Sequence, residues 1–324
     1  MREMMMRTAT LALIVLAGGA CAGVARPQVQ NAPPPAGASM WVEPKNIATR
    51  DLYYGPWGQE HAPDPKDVYD LVELKHSGVN LGMTVKDSKG REWSVKQPYP
   101  GNLDSEAPVE VAVSRLLSGI GYHQPPVYYL PAFTLKDDFG RKVVIGGRFR
   151  PKLPDLKEIG DWDWAQNPFV GTKEYQGLIV ALMMFNSTDL KNSNNSLYEK
   201  KDGDLVQQWY VARDVGSALG DTQRMAPRKN HIDSFEQMPF ILGVNTSGFV
   251  EFAYNGWYKN LVVNRIKPED VVWISNRLGR LSDKQMQDAF RAGGYDPDVA
   301  ARFITRIREK IQQGRSLTLA AARN

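Results

Sequence analysis

Alternating apolar and polar positions in the first half of the chain predict short β-strands joined by turns. Strands are expected over residues 68–75, 81–86 and 91–97. The sequence Asp-Ser-Lys-Gly at 87–90 is typical of a tight turn between the second and third strands. This pattern favours a small β-rich unit.

A helical pattern follows this unit. The helix is predicted to begin near Ser105 or Pro108 and to run to about Ser118, because serine is a favoured N-cap and proline is tolerated in a first turn. Gly119 and Gly121 are expected to end it. Its apolar face comprises Val109, Val113, Leu116 and Leu117.

The second half of the chain carries further helical patterns and one hairpin. A buried helix is predicted over 174–185, and a β-hairpin over 197–212. Two C-terminal helices are predicted over 282–292 and 296–313. The aromatic-rich stretch 249–258 is expected to pack among these helices.

The N-terminal residues 1–25 have the features of an export signal. Two arginines precede an apolar run over 9–17, which is shorter than the roughly twenty residues of a membrane span. Cys21 is the single cysteine, and its place after Gly-Gly-Ala resembles the lipobox of bacterial lipoproteins. That resemblance implies a lipid on Cys21 and attachment to a membrane, whereas cleavage after Ala22 or Ala25 is the alternative.

Composition adds a linker and excludes several functions. Residues 26–42 are rich in proline and predict a linker. The remaining chain, about 285 residues, suits a two-lobed enzyme. A net charge of +4 with scattered basic residues does not indicate nucleic-acid binding. The four histidines lack paired metal-ligand spacing, and Gly-x-Ser-x-Gly is absent, so neither a zinc site nor a serine hydrolase is indicated.

Two polar segments carry the candidate chemistry. Asn194 follows Asp189 by five residues in the loop after the buried helix, and Asp214 follows the predicted hairpin in an Asp-x-Gly sequence. Phosphoryl transfer needs a carboxylate at the attacking hydroxyl and oxygen ligands for Mg²⁺. Asp189 is the candidate for the first role, and Asn194 and Asp214 for the second. Either segment alone is also typical of a polar turn.

The β-rich unit offers a candidate phosphate-binding lysine. Lys96 lies on the third predicted strand, on the face opposite Trp93 and Val95. Glu110 lies within the predicted helix and is expected to pair with Lys96, whereas Glu106 is placed to favour the helix N-terminus. An exposed lysine and solvated glutamates are the alternatives.

These residues resemble a known family. The sequence from Asp189 to Asn194 resembles the catalytic loop of the HipA-like and phosphoinositide-kinase-like branch of the protein-kinase-like fold, and Asp214-Val-Gly resembles its metal-binding motif. The resemblance implies a two-lobed α+β fold. A small β-rich N-lobe with one bracing helix would occupy 43–150, and a larger, mainly helical C-lobe with a two-helix tail would occupy 151–324.

The resemblance also implies residue roles and a function. It assigns catalysis to Asp189 and Lys191, nucleotide binding to Lys96, Glu110, Gly78 and Gly82, and Mg²⁺ binding to Asn194 and Asp214. The expected function is an exported kinase-like phosphotransferase on the periplasmic face, which uses Mg²⁺ and ATP to phosphorylate a hydroxyl of a small molecule or protein. Sparse glycines, and Val215 in place of an aromatic residue, leave open a non-catalytic binding protein or a metal-dependent hydrolase.

Overall fold

The computed structural model describes residues 34–75, 82–97, 106–223, 225, 227–256 and 258–321. The strands are β1 (Ala38–Ser39), β2 (Val68–Lys75), β3 (Gly82–Lys86), β4 (Glu92–Lys96), β5 (Tyr128–Asp137), β6 (Gly140–Pro151), β7 (Leu156–Gly160), β8 (Asn195–Asp202), β9 (Leu205–Ala212), β10 (Ile241–Val244) and β11 (Val250–Phe252). The helices are α1 (Glu106–Gly119), α2 (Lys173–Met184), α3 (Ile232–Gln237), α4 (Pro268–Leu278), α5 (Asp283–Ala292) and α6 (Pro297–Ala321). The mixed helix and sheet content confirms the α+β class.

The first half of the chain forms a closed barrel with the strand order β2-β3-β4-β6-β5. Its neighbours pair antiparallel, except that β2 and β5 close the barrel as a parallel pair. Alternate side chains point inward, and Tyr69, Trp93, Phe133 and Phe149 fill the interior. Neighbouring rings cross edge to face, for example Phe133 and Phe149 with centroids 5.0 Å apart.

The second sheet has the strand order β1-β9-β8-β7. The predicted hairpin is present as β8 and β9, which pair antiparallel from Asn195 and Ala212 to the turn. One boundary of the predicted linker, 26–42, differs from the structure. Ala38 and Ser39 pair with β9, and Met40 is buried, because this segment supplies an apolar side chain to the main core.

The helical part of the chain packs around α2, which is buried along most of its length. Thr172 caps this helix by accepting a hydrogen bond from the backbone N–H of Tyr175 at 3.2 Å. Helices α4 and α6 pack beside α2, and α5 packs on α1. Within the stretch 249–258, Val250–Phe252 form β11 and pair with β10, and Val250, Phe252 and Tyr254 pack into the main core beside the helices, as expected. The last helix continues eight residues beyond its predicted end at 313.

Several sequence predictions fall outside the described residues. The export signal over 1–25, Cys21 and Gly78 are among them, and they stay predictions. Within the described ranges, no helix has both the length and the apolar character needed to cross a membrane.

Candidate active site

The loop after α2 begins with a sharp change of backbone direction at Asn186. This residue has a φ of 56°, a left-handed conformation that asparagine tolerates better than most residues. Its side chain donates to the carbonyl of Gly220 at 2.7 Å and accepts from Nζ of Lys310 at 2.9 Å. Lys310 is fully buried in α6 and also donates to the carbonyl of Met184. The start of the loop is therefore fixed from two sides.

Asn194 connects the loop to the strand end that carries Asp214. Its Nδ2 donates to the carbonyl of Asp189 at 2.7 Å. Its backbone carbonyl accepts the N–H groups of Arg213 and Asp214, at 3.1 and 3.0 Å. Asp189, Asn194 and Asp214 line one small cavity as a result. The structure thus brings together the three residues that the sequence selected on spacing.

Asp189 has one carboxylate oxygen engaged and one without a partner. Its Oδ2 lies 3.0 Å from Nζ of Lys191, and this interaction raises the pKa of Lys191. Its Oδ1 is buried and has no hydrogen-bond partner among the described residues. A buried carboxylate oxygen without a donor favours a ligand hydroxyl or a metal at this position, because leaving it unpaired is costly.

Gly216 completes the Asp-x-Gly sequence for a steric reason. A Cβ at this position would lie 2.9 Å from the backbone carbonyl oxygen of Glu106, at the start of α1. Glycine therefore allows the segment after Asp214 to approach α1 closely. Glu106 itself forms an ion pair with Lys229.

Lys96 on β4 forms an ion pair with Asp214. Nζ lies 2.8 and 2.9 Å from the two carboxylate oxygens. Burial alone would raise the pKa of Asp214, but the charge and hydrogen bond of Lys96, with the charges of Arg150 and Arg148, outweigh it and lower that pKa to about 2. The contact joins the barrel to the helical part of the chain at the candidate site.

Glu110 does not take the predicted role of partner to Lys96. It is buried in α1, and its Oε1 lies 3.2 Å from Nε of Arg148 and 2.7 Å from NH2 of Arg150. Both arginines lie on β6, which pairs antiparallel with β4, and Arg148 is the direct neighbour of Lys96. Glu110 therefore contacts two arginines of the adjacent strand, and Asp214 is the ion-pair partner of Lys96.

The charges around Lys96 do not cancel. Lys96, Arg148 and Arg150 supply three positive charges, whereas Glu110 and Asp214 supply two negative ones. An excess positive charge in a partly buried site favours an anionic ligand such as a phosphate. Gly82 pairs with Lys96 across β3 and β4, so the first residue of β3 lies beside this positive group.

The donor set at Asn194 and Asp214 fits a magnesium ion that is completed by other ligands. Among the described residues, no group of three or more histidine, cysteine or acidic side chains could hold a metal. Nδ2 of Asn194 donates to the carbonyl of Asp189, and its Oδ1 accepts no hydrogen bond from the described residues. One amide oxygen and one carboxylate are a suitable protein contribution for Mg²⁺, which commonly takes its remaining ligands from phosphates and water.

Several residues that build this site carry little signal in the sequence. Arg148 and Arg150 occupy alternate positions on β6, and that spacing is the only local sign that both face Glu110. Trp164 also contributes, because its backbone N–H donates to Oδ1 of Asn192 at 3.1 Å. The sequence does not indicate that Lys310 is buried at this site, because a lysine in an amphipathic helix is usually exposed.

Known proteins similar to this chain are found among solved structures. No protein-family model matches the sequence, and no curated protein matches it. Solved structures include a similar chain, the Helicobacter pylori proinflammatory kinase CtkA, with 12% identity, a TM-score of 0.47, and coverage of 79% of this chain and 99% of that one.

A Golgi casein kinase with Mn/ADP bound is also similar, with 8% identity, a TM-score of 0.37, and coverage of 79% of this chain and 74% of that one.

Proposed function

We propose that this protein is a kinase-like phosphotransferase that uses a magnesium-bound nucleotide, with the barrel and α1 as the N-lobe and the helical part as the C-lobe. The observation that carries the proposal is the ion pair between Lys96 and Asp214. It places a lysine from the barrel against the carboxylate that follows the hairpin, in a group of charges with one positive charge in excess.

The chain's own residues have distinct tasks in this proposal. Lys96 and Arg150 attract and orient the phosphates of the nucleotide, because Lys96 contacts Asp214 and the charge of Arg150 also acts on that carboxylate. Asn194 and Asp214 hold Mg²⁺, which would neutralise the charge of the transferring group. Asp189 orients the acceptor hydroxyl and accepts its proton through the carboxylate, whose Oδ1 has no partner in the described chain.

The Lys96–Asp214 ion pair must rearrange when nucleotide and metal bind. Asp214 would then serve Mg²⁺ and Lys96 the phosphates, so each charged side chain would keep an opposite charge nearby. Lys191 remains beside Asp189, where it is placed to neutralise the phosphate as it reaches the acceptor.

A non-catalytic nucleotide-binding protein is the second candidate. It is favoured by one observation, that Asp189 and Asp214 are each paired with a lysine, Lys191 and Lys96. Such pairs stabilise both carboxylates without any transfer reaction. The two candidates differ in whether Asp189 accepts a proton from an acceptor hydroxyl or only stabilises the loop.

The HipA-like branch, export to the periplasmic face and a lipid on Cys21 complete the proposal. They are supported by the sequence of the loop from Asp189 to Asn194 and by the apolar run before Cys21. The acceptor is a hydroxyl group of a small molecule or protein.

A comparison of binding with turnover tests the proposal. Mg²⁺-dependent consumption of ATP by the full chain is measured with Asp189→Asn and with Asp204→Asn, an exposed control in the turn between β8 and β9. Loss of turnover only in Asp189→Asn, with nucleotide affinity retained, supports the phosphotransferase. Binding without turnover in the wild-type chain supports the second candidate, and no binding contradicts both.

A further inference from the structure

A second cavity lies away from the candidate active site, and no residue lines both. It has a volume of about 390 Å³ and is bounded by the segment after α1, the N-terminal segment and the sheet formed by β8 and β9. Pockets for small molecules are commonly 300–1,000 Å³ in volume. The cavity is therefore large enough for a ligand of one or two rings.

Aromatic rings form much of its wall. His123 stacks on Trp209 with the ring centroids 4.2 Å apart and the planes 4° from parallel. Trp57 lies next to Trp209, with centroids 6.2 Å apart. The indole N–H groups are already used, since Trp57 donates to the carbonyl of Gln124 and Trp209 donates to Gln207. These side chains consequently offer ring surfaces to a ligand.

The same wall carries a cation without an acidic partner. Arg50 is half-buried, donates from NH1 to the carbonyl of Ser118 at 2.7 Å, and forms no ion pair with any described acid. Lys200 also lines the cavity, but Asp155 neutralises it. No acidic side chain is among the described residues that line the cavity. The local charge therefore favours an anion.

Gln124 adds a polar group that needs a partner. This side chain is 4% exposed, and its Nε2 donates to the carbonyl of Ala212 at 3.1 Å. Its Oε1 is buried and accepts no hydrogen bond among the described residues. An unpaired buried amide oxygen is costly, so a donor supplied by a ligand would satisfy it.

We propose that this cavity binds a small aromatic carboxylate that also carries an N–H donor. The ring packs against Trp57 and Trp209, the carboxylate pairs with Arg50, and the N–H donates to Oε1 of Gln124. Each contact uses a group that the described chain leaves unsatisfied or a ring surface that it leaves accessible. This proposal does not rest on nucleotide binding at the candidate active site.

Calorimetric titration of the full chain with indole-3-acetate tests this proposal, because that probe has the ring, the anion and the N–H. We expect saturable binding with one site per chain that Mg²⁺ and ATP do not displace. Indole, which lacks the carboxylate, should bind about tenfold more weakly, since charge-assisted hydrogen bonds contribute that much.

Matched variants separate specific binding from general effects. Arg50→Gln and Trp57→Leu should each weaken binding of indole-3-acetate about tenfold or more, whereas Arg50→Lys should retain part of it. Arg141→Gln, at an exposed position on β6, is the control and should bind like the wild type. No saturable binding at millimolar probe, equal affinity for the two probes, or equal affinity in Arg50→Gln and Arg141→Gln would each overturn the proposal.

Discussion

Lys96 and Asp214 are 118 positions apart in the sequence and meet in one ion pair with both carboxylate oxygens within 2.9 Å of Nζ. The pair joins the end of β4 to the segment after β9, so it connects the barrel with the loop that carries Asp189 and Asn194. Because the charge of Lys96 stabilises the ionised carboxylate of Asp214, replacing Lys96 should change the titration of Asp214.

Replacing Lys96 should alter the titration of its partner. In Lys96→Met, the pKa of Asp214 should rise from about 2 towards or above its ordinary value of 3.8, because burial then acts with less compensation. Nuclear magnetic resonance of the side-chain carboxyl carbon measures this directly. An unchanged pKa in the variant would contradict the ion pair.

This ion pair also predicts a pH dependence of stability. The folded-state pKa of Asp214 lies below 3.8, so its contribution to the free energy of unfolding is fully present above pH 3.8 and is lost as the pH falls through about 2. Lys96→Met should reduce that acid dependence. Denaturant unfolding at pH 2–5 measures it, and an identical profile in both proteins would contradict the assignment.

Glu110 is expected to matter for stability more than any exposed acid of the barrel. Glu110→Gln leaves Arg148 buried without its carboxylate, and the free energy of unfolding should fall by about 3–5 kcal/mol. Glu73→Gln, at an exposed position on β2, is the matched control and should change it by less than about 0.5 kcal/mol. Chemical denaturation compares the two, and equal effects would show that the Glu110 network is not stabilising.

The buried Lys310 predicts that the free energy of unfolding changes with pH between neutral and alkaline conditions. Burial lowers its pKa well below 10.5, so the unfolded chain binds this proton more strongly and stability rises as the pH increases from the folded pKa towards 10.5. Lys310→Met should lose up to about 1.4 kcal/mol per pH unit of that slope. Unfolding at pH 7–9.5 measures the difference, and parallel profiles would contradict a buried, perturbed lysine.

The local features of the fold were predictable from the sequence, whereas its long-range contacts were not. The helix 106–119 and the hairpin 195–212 follow from apolar periodicity and turn residues within each segment. Closure of the barrel depends on the parallel pairing of β2 with β5, which joins strands that are distant in the chain. No local pattern reports such a pairing.

In the candidate site, too, the local contacts were predictable from the sequence and the long-range contacts were not. Asp189 and Asn194 were found from spacing because a short loop brings them together, and their hydrogen bond is local. The predicted pairing of Lys96 with Glu110 was wrong because two arginines on β6 surround Glu110, and only the register of β4 and β6 shows this. Gly78 and Cys21 stay predictions.

Export and lipidation have their own test. In a bacterial host, the full chain should fractionate with membranes, and Cys21→Ser should remove it from that fraction, because the chain has no other cysteine. Mass spectrometry of the N-terminal peptide identifies the lipid. Equal membrane association of both proteins, with an unmodified Cys21, would contradict a lipid anchor.

Calorimetric titration of the full chain with ATP, with and without Mg²⁺, tests the proposed nucleotide site at Asp214. We expect saturable binding that depends on Mg²⁺ in the wild type and in Asp204→Asn, and no detectable binding in Asp214→Asn, which should remain folded. Equal affinity in Asp214→Asn and the wild type, or no binding in any of the three proteins, would contradict it.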